Sequence, residues 1–159
     1  MKKIGNRKAV SPVIATVILV AVAITVSVAV AYWMGGIAGQ YTKFEKVEIQ
    51  STLATVNAAG NWTVKMKLKN TGTATSNLIG VFINDVEVDQ YGIATGPSVD
   101  FEFTTNMTQT EPITSGQTKQ IEIYIMANRL GSTLSSGTTI NIKVHSAGGM
   151  DYIKLVELV

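Results

Sequence analysis

Residues 9–36, AVSPVIATVILVAVAITVSVAVAYWMGG, hold no charged side chain, and the uncharged run continues to Thr42. A bilayer-spanning helix needs about 20 consecutive apolar residues. At a rise of about 1.5 Å per residue, a helix over residues 13–34 is about 33 Å long, enough for a hydrocarbon core of about 30 Å. Pro12 suits a first helical turn, where its missing N–H breaks no bond, so the helix is expected to begin at Ser11 or Pro12. Tyr32 and Trp33 fall at the far end, where amphipathic rings favour a membrane–water interface. Gly35, Gly36 and Gly39 follow as a hinge at which the helix is expected to end or bend.

Working outward from this run, the chain divides into unlike pieces. The eight residues before it contain Lys2, Lys3, Arg7 and Lys8 and no acid. Removing these four from the 13 basic residues leaves nine against 11 acidic ones, changing the formal charge from +2 to −2. The pI of 8.8 thus reports a basic head, and the remaining lysines form no contiguous run, which argues against nucleic-acid binding. A cationic head before a long apolar stretch has the plan of a membrane-targeting leader, with the head cytoplasmic and the rest outside. The stretch is too long for the about 7–15 apolar residues of an ordinary secretory signal. Ala and Val dominate it, interspersed with Thr16, Thr25 and Ser27, and small and β-branched side chains let helices approach closely. The mean hydropathy of +0.25 and the low charged fraction of 15% average this segment with a polar remainder. No cysteine is present, which excludes disulfides and thiol chemistry but does not fix a compartment.

From Lys43 onward the period changes to two. Trp62, Val64, Met66 and Leu68 alternate with Thr63, Lys65, Lys67 and Lys69, the pattern of a half-buried strand. Residues 121–125 and 140–144 repeat it, and 47–53, 78–83, 86–88, 99–103 and 152–158 are further candidates, about eight strands in all. Turn residues stand between them: Ala59-Gly60-Asn61, Asn70-Thr71-Gly72, Asn84-Asp85, Ser115-Gly116, Ser136-Gly137 and Gly148-Gly149. With no second helical pattern, the expected fold is α+β: a long N-terminal hydrophobic helix followed by an antiparallel, immunoglobulin-like β-sandwich. The expected segments are a leader at 1–8, a helix at 9–42 and an outer domain at 43–159. The apolar end of the last strand is expected to be sheet-paired or covered by another subunit.

Nothing in the sequence assembles a catalytic site, a metal centre or a cofactor cradle. The lone imidazole, His145, lies on the polar phase of a strand without an acidic neighbour in sequence, so nucleophilic catalysis lacks its base. Asp85, Glu87 and Asp89 share one strand phase and could collect Ca²⁺, but a solvated strand face is the favoured reading and no metal site is assigned. No glycine cluster opens a helix after a strand, so nucleotide chemistry is disfavoured. Asn61-Trp62-Thr63 and Asn106-Met107-Thr108 fit the N-glycosylation pattern at predicted loops.

The run Arg7-Lys8-Ala9-Val10-Ser11-Pro12-Val13-Ile14-Ala15-Thr16-Val17-Ile18-Leu19-Val20-Ala21-Val22-Ala23 resembles the N-terminal motif of archaeal type IV pilins. The motif covers about the first quarter of the chain. The resemblance implies that a membrane-embedded prepilin peptidase cuts the leader between Lys8 and Ala9, with a cut after Gly5 as the alternative. It implies an extracellular filament whose core is a bundle of identical helices, formed here by Val13, Ile14, Val17, Ile18, Leu19, Val20, Val22, Ala23, Ile24, Val26, Val28 and Val30. It also implies a pilus assembly platform in the membrane, driven by a separate cytoplasmic ATPase, and a role in cell adhesion. Val13 stands where bacterial pilins carry a glutamate at the fifth mature position, so docking here falls to apolar packing and the free amino terminus. Two alternatives share the same plan: an archaellin of the motility filament, and an uncleaved, membrane-anchored ligand-binding module.

Overall fold

A computed structural model describes residues 11–93, 101–126 and 134–159; the leader and both candidate cut sites lie outside them. The chain forms two compact units, Met1–Thr42 and Lys43–Val159.

In the first unit, helix α1 runs over Pro12–Tyr41 with Pro12 in its first turn. The Ala15 N–H donates to Ser11 O at 3.1 Å to open the ladder, and the Thr42 N–H donates to Ala38 O at 3.2 Å to close it. The side chain of the N-cap residue Ser11 makes no capping hydrogen bond, no acid sits in the first turn and no base in the last. Nothing therefore offsets the macrodipole, and the helix depends on its surroundings rather than on its ends. Of the end or bend expected at the glycines, the end does not occur: α1 continues through Gly35, Gly36 and Gly39 to Tyr41, within the expected 9–42 segment. A glycine costs a helix about 1 kcal/mol relative to alanine but, unlike proline, removes no hydrogen-bond donor.

The second unit is a sandwich. Its strands are β1 (Val47–Val56), β2 (Trp62–Asn70), β3 (Ser76–Ile83), β4 (Val86–Glu87), β5 (Phe103–Thr105), β6 (Glu111–Ile113), β7 (Thr118–Ile125), β8 (Thr139–Ser146) and β9 (Asp151–Glu157). One sheet has the order β1-β2-β7-β5 and the other β4-β3-β8-β9, with β6 added beside the start of β3. All strand pairs are antiparallel. The chain crosses to the second sheet for β3 and β4, returns for β5, touches the second sheet again with β6, returns for β7 and crosses finally to β8 and β9, which gives the A-B-E-D and C′-C-F-G arrangement of immunoglobulin-like domains.

The alternation in β2 places Val64, Met66 and Leu68 inward with no exposed surface, facing Leu78, Val81, Ile140, Ile142 and Val144 of the other sheet. Each such side chain contributes about 1.5–3 kcal/mol by leaving water, so the interior suffices to hold two sheets without disulfides. The turn at Asn84-Asp85 has φ of 49° and 67°, the double left-handed geometry that a two-residue hairpin requires and that Asn and Asp tolerate best among residues with a side chain. Eight strands coincide with sequence expectations or overlap them. β5 begins only at Phe103, the end of the expected 99–103 stretch, whose first two residues are not described. β6 is additional: three residues with Pro112 at the centre give no readable period, and proline fits there because β6 lies at a sheet edge.

Candidate functional site

The feature with the largest unmet physical requirement is α1. Apolar side chains surround its axis on every side, and none of its residues is buried within the chain. Val13, Val17, Val20, Ile24 and Val28 are all exposed. A helix apolar all round belongs in a membrane or in the interior of a larger assembly, and α1 has the length and hydropathy to cross a membrane. Its polar side chains fit the same setting. Thr16 Oγ1 donates to Val13 O at 2.8 Å, Thr25 Oγ1 to Ala21 O at 2.8 Å and Ser27 Oγ to Ala23 O at 2.7 Å. Each hydroxyl is satisfied by its own helix, so none needs water when the helix is enclosed. The twelve residues predicted to form a core all lie on this surface and together encircle it.

Where the outer domain begins, Phe44, Glu45 and Lys46 are fastened to the β2–β3 connection. Phe44 O accepts from the N–H groups of Thr73 (3.0 Å) and Ala74 (3.1 Å), and Lys46 O accepts from Thr71 (2.8 Å) and Gly72 (3.1 Å). The Phe44 N–H donates to Thr73 Oγ1 at 3.1 Å. Glu45 Oε2 accepts from Ser146 Oγ at 3.0 Å and Ser76 Oγ at 3.4 Å, both serines being fully buried. A Cβ on Gly72 would stand 2.5 Å from Phe44 O and 2.6 Å from Lys46 N, so only glycine admits this approach. Behind the clamp, buried Asn70 donates through Nδ2 to Ala74 O (2.8 Å) and Ile113 O (2.7 Å) and accepts the Gly72 N–H at Oδ1 (2.9 Å). Sequence reading missed the clamp because its partners lie 25–101 residues apart. The Asn70-Thr71-Gly72 turn was its one visible trace.

The residues singled out for chemistry go to separate structural tasks. Asp85 pairs with Lys143 at 2.9 Å, an interaction that raises the lysine above its usual range through the hydrogen bond. Glu87 accepts from Tyr91 Oη at 2.9 Å, while Asp89 Oδ2 accepts the N–H groups of Glu102 and Phe103, each at 3.0 Å. Among the described residues no three His, Asp or Glu side chains converge on a common point. His145 does have an acidic partner: the β8–β9 register sets it opposite Asp151, with Nδ1 2.5 Å from Oδ1. The pair lies on the outer face at partial exposure, with no hydroxyl or thiol nucleophile among its hydrogen bonds.

Tyr91 is pushed up to about 12, first by burial and then by its bond to Glu87. Glu111 is raised by burial, but the Lys119 ammonium 2.5 Å away and the Thr108 hydroxyl and N–H outweigh it, holding the carboxyl below its usual range. Asn61 closes the β1–β2 hairpin at 9% exposure. Asn106 is half-buried, and its Oδ1 accepts the Glu122 N–H at 2.7 Å.

No family model matches the chain, and no curated protein is similar to it in sequence. Among solved structures, it is similar to the archaellum periplasmic stator protein FlaG from Sulfolobus acidocaldarius at 21% identity, over 71% of this chain and 100% of that one, with a TM-score of 0.43. It is also similar to a lipoprotein from Bacteroides thetaiotaomicron at 12% identity, over 72% of this chain and 78% of that one, with a TM-score of 0.36. Likeness at these levels transfers no role to this chain.

Proposed function

We propose that this protein is a structural, non-enzymatic subunit of an archaeal type IV pilus-like extracellular filament, polymerising through α1 and meeting surfaces with its outer domain. The observation that carries the reading is the thirty-residue helix α1 with no buried residue. Its apolar surface must be covered from outside the chain, by lipid before assembly and by identical helices afterwards. Relative to water, covering one valine or leucine is worth about 1.5–3 kcal/mol; lipid already supplies that cover, so association from the membrane rests on close packing of the small and β-branched side chains of α1. Self-satisfied hydroxyls let the same helix serve in both media. The clamp at Phe44–Lys46 fits a domain that bears load at its point of attachment. The leader motif supplies the processing step, a cut at Lys8/Ala9 by a prepilin peptidase, and the filament partners are further copies, the assembly platform and its ATPase.

Terminal sequencing of a sheared extracellular fraction tests this. An Ala9 terminus on polymeric material is the expected result. A chain that still begins at Met1 and stays monomeric in membranes would replace the filament by an anchored binding module. Loss of swimming on deletion, with the protein present in purified motility filaments, would replace the pilus by an archaellum.

A further inference from the structure

The two outer faces of the sandwich carry opposite charge. On the β1-β2-β7-β5 sheet, Lys65, Lys67 and Lys69 form a column along β2. Lys65 has Glu122 at 3.2 Å, whereas Glu48, opposite Lys69, lies 2.7 Å from Lys46. Lys67 is flanked across the strands only by Ser51 and Gln120. Four lysines thus meet two carboxylates, with Leu53, 58% exposed, at the margin of the column. On the β4-β3-β8-β9 sheet the outward register sets one lysine, Lys143, among Asp85, Glu87, Asp151 and Glu157. Between those acids lie Ile153 and Leu155, 55% and 64% exposed and two residues apart on β9.

We infer that the lysine face of one copy docks on the acidic Ile153/Leu155 face of the next, a head-to-tail contact between outer domains. The occupant is a second copy because the chain carries both halves of the complement. Lysine face on lysine face, or acidic face on acidic face, would bring like charges together without compensation. Since the faces lie on opposite sides of one sandwich, each copy bound leaves a fresh lysine face and a fresh acidic face exposed. Such a heterologous contact continues into an open row instead of closing as a dimer. The exposed aliphatic pair supplies apolar area at the centre, and the surrounding charges fix which face it meets. The inference deepens the filament reading and rests on it for the crowding of copies.

The chain has no cysteine, so introduced thiols are unique. Full-length Lys67→Cys, Leu155→Cys and the double variant are treated with a flexible bis-maleimide, both in membranes and in sheared material. These exposed positions leave the interior untouched. The double variant is expected to give a ladder of dimers, trimers and longer species, a mixture of the single variants dimers only, and each single variant alone monomers. Reversal of the remaining column by Lys65→Glu and Lys69→Glu in the double-cysteine variant is expected to lower the ladder about tenfold at low salt, and high salt to weaken the unreversed ladder. Single variants that cross-link with themselves as well as the double variant would overturn the head-to-tail assignment. So would filaments of the double variant without a ladder. Sheared material without filaments would sink the polymerisation reading instead, while the membrane sample still decides the pairing of faces.

Discussion

Replacing Gly72 by alanine pits two effects against each other. Gly72 does not lie at positive φ, so alanine there would ordinarily stabilise by about 0.4–1 kcal/mol through a less flexible unfolded chain. Against this stands a Cβ 2.5 Å from Phe44 O and 2.6 Å from Lys46 N, backbone atoms that cannot swing aside as a side-chain tip can. Relief requires the Phe44–Lys46 strip to lift from the β2–β3 connection, loosening the four backbone bonds to Phe44 O and Lys46 O. At about 0.5–1.5 kcal/mol per bond, losing half to all of them costs about 1–6 kcal/mol, so strain outweighs the chain-entropy gain. The expected net loss is about 1–4 kcal/mol. Urea unfolding of the full-length protein in detergent, followed by buried Trp62 in a Trp33→Phe background, reads it out. With a slope of about 1–3 kcal/mol per molar urea, the midpoint falls by about 1 M, and Phe44–Lys46 amides lose protection from hydrogen exchange. Gly148→Ala is the comparison: its Cβ meets only the Glu45 carboxylate, which can turn away at the cost of two serine bonds, about 1–3 kcal/mol, while the four backbone bonds and the exchange protection they give are kept. A Gly72→Ala protein as stable as the parent would refute the clamp.

Val20→Asp or Ala23→Asp puts a charge on the enclosed surface of α1 and is expected to abolish sedimentable filaments while the outer domain keeps its β circular dichroism; normal filaments from both variants would remove α1 from the core. Glu111 is depressed in the folded state, so its contribution is present above the unfolded carboxylate range and lost as pH falls through the lowered folded value. Glu111→Gln should therefore lose up to about 1 kcal/mol at neutral pH and show a flatter decline in acid, measured as urea midpoints across pH; an unchanged acid profile would separate Glu111 from acid stability. Tyr91, pushed up to about 12 by burial, should ionise only in strong alkali, and Tyr91→Phe should delete that late step from an ultraviolet titration; an unchanged titration would remove Tyr91 from the buried network.

The helix and the central strands were legible because a single local rule governs each. A charge-free run of more than thirty residues admits few alternatives to a membrane-length helix, and a four-fold apolar/polar alternation in β2 admits one half-buried strand. The glycines left both an end and a bend open because they signal where a helix is permitted to stop, while the uninterrupted hydrogen-bond ladder decides that it does not stop there. Glu111-Pro-Ile113 was invisible since three residues carry no period; it is a strand only because Ser76–Leu78 lie beside it. The Asp151 partner of His145 depended on the loop length: counting outward from Gly148-Gly149 as a two-residue turn pairs His145 with Tyr152, whereas the actual loop of residues 147–149 centres on Gly148 and pairs it with Asp151. Glu45 offered no such clue, for its two serines arrive from β3 and β8, and neither spacing nor composition announces the meeting.

A rod that is equally greasy around its whole circumference carries no angular information. In a polymer built on α1, one azimuth of the helix is nearly as good as another, so the core resists separation far more than it resists twist. Rotational setting must then be dictated at larger radius, by the charged faces of the outer domains, whose attraction salt can weaken. The same subunit would thus build filaments with one constant interior and a pitch that follows the ionic strength of its surroundings.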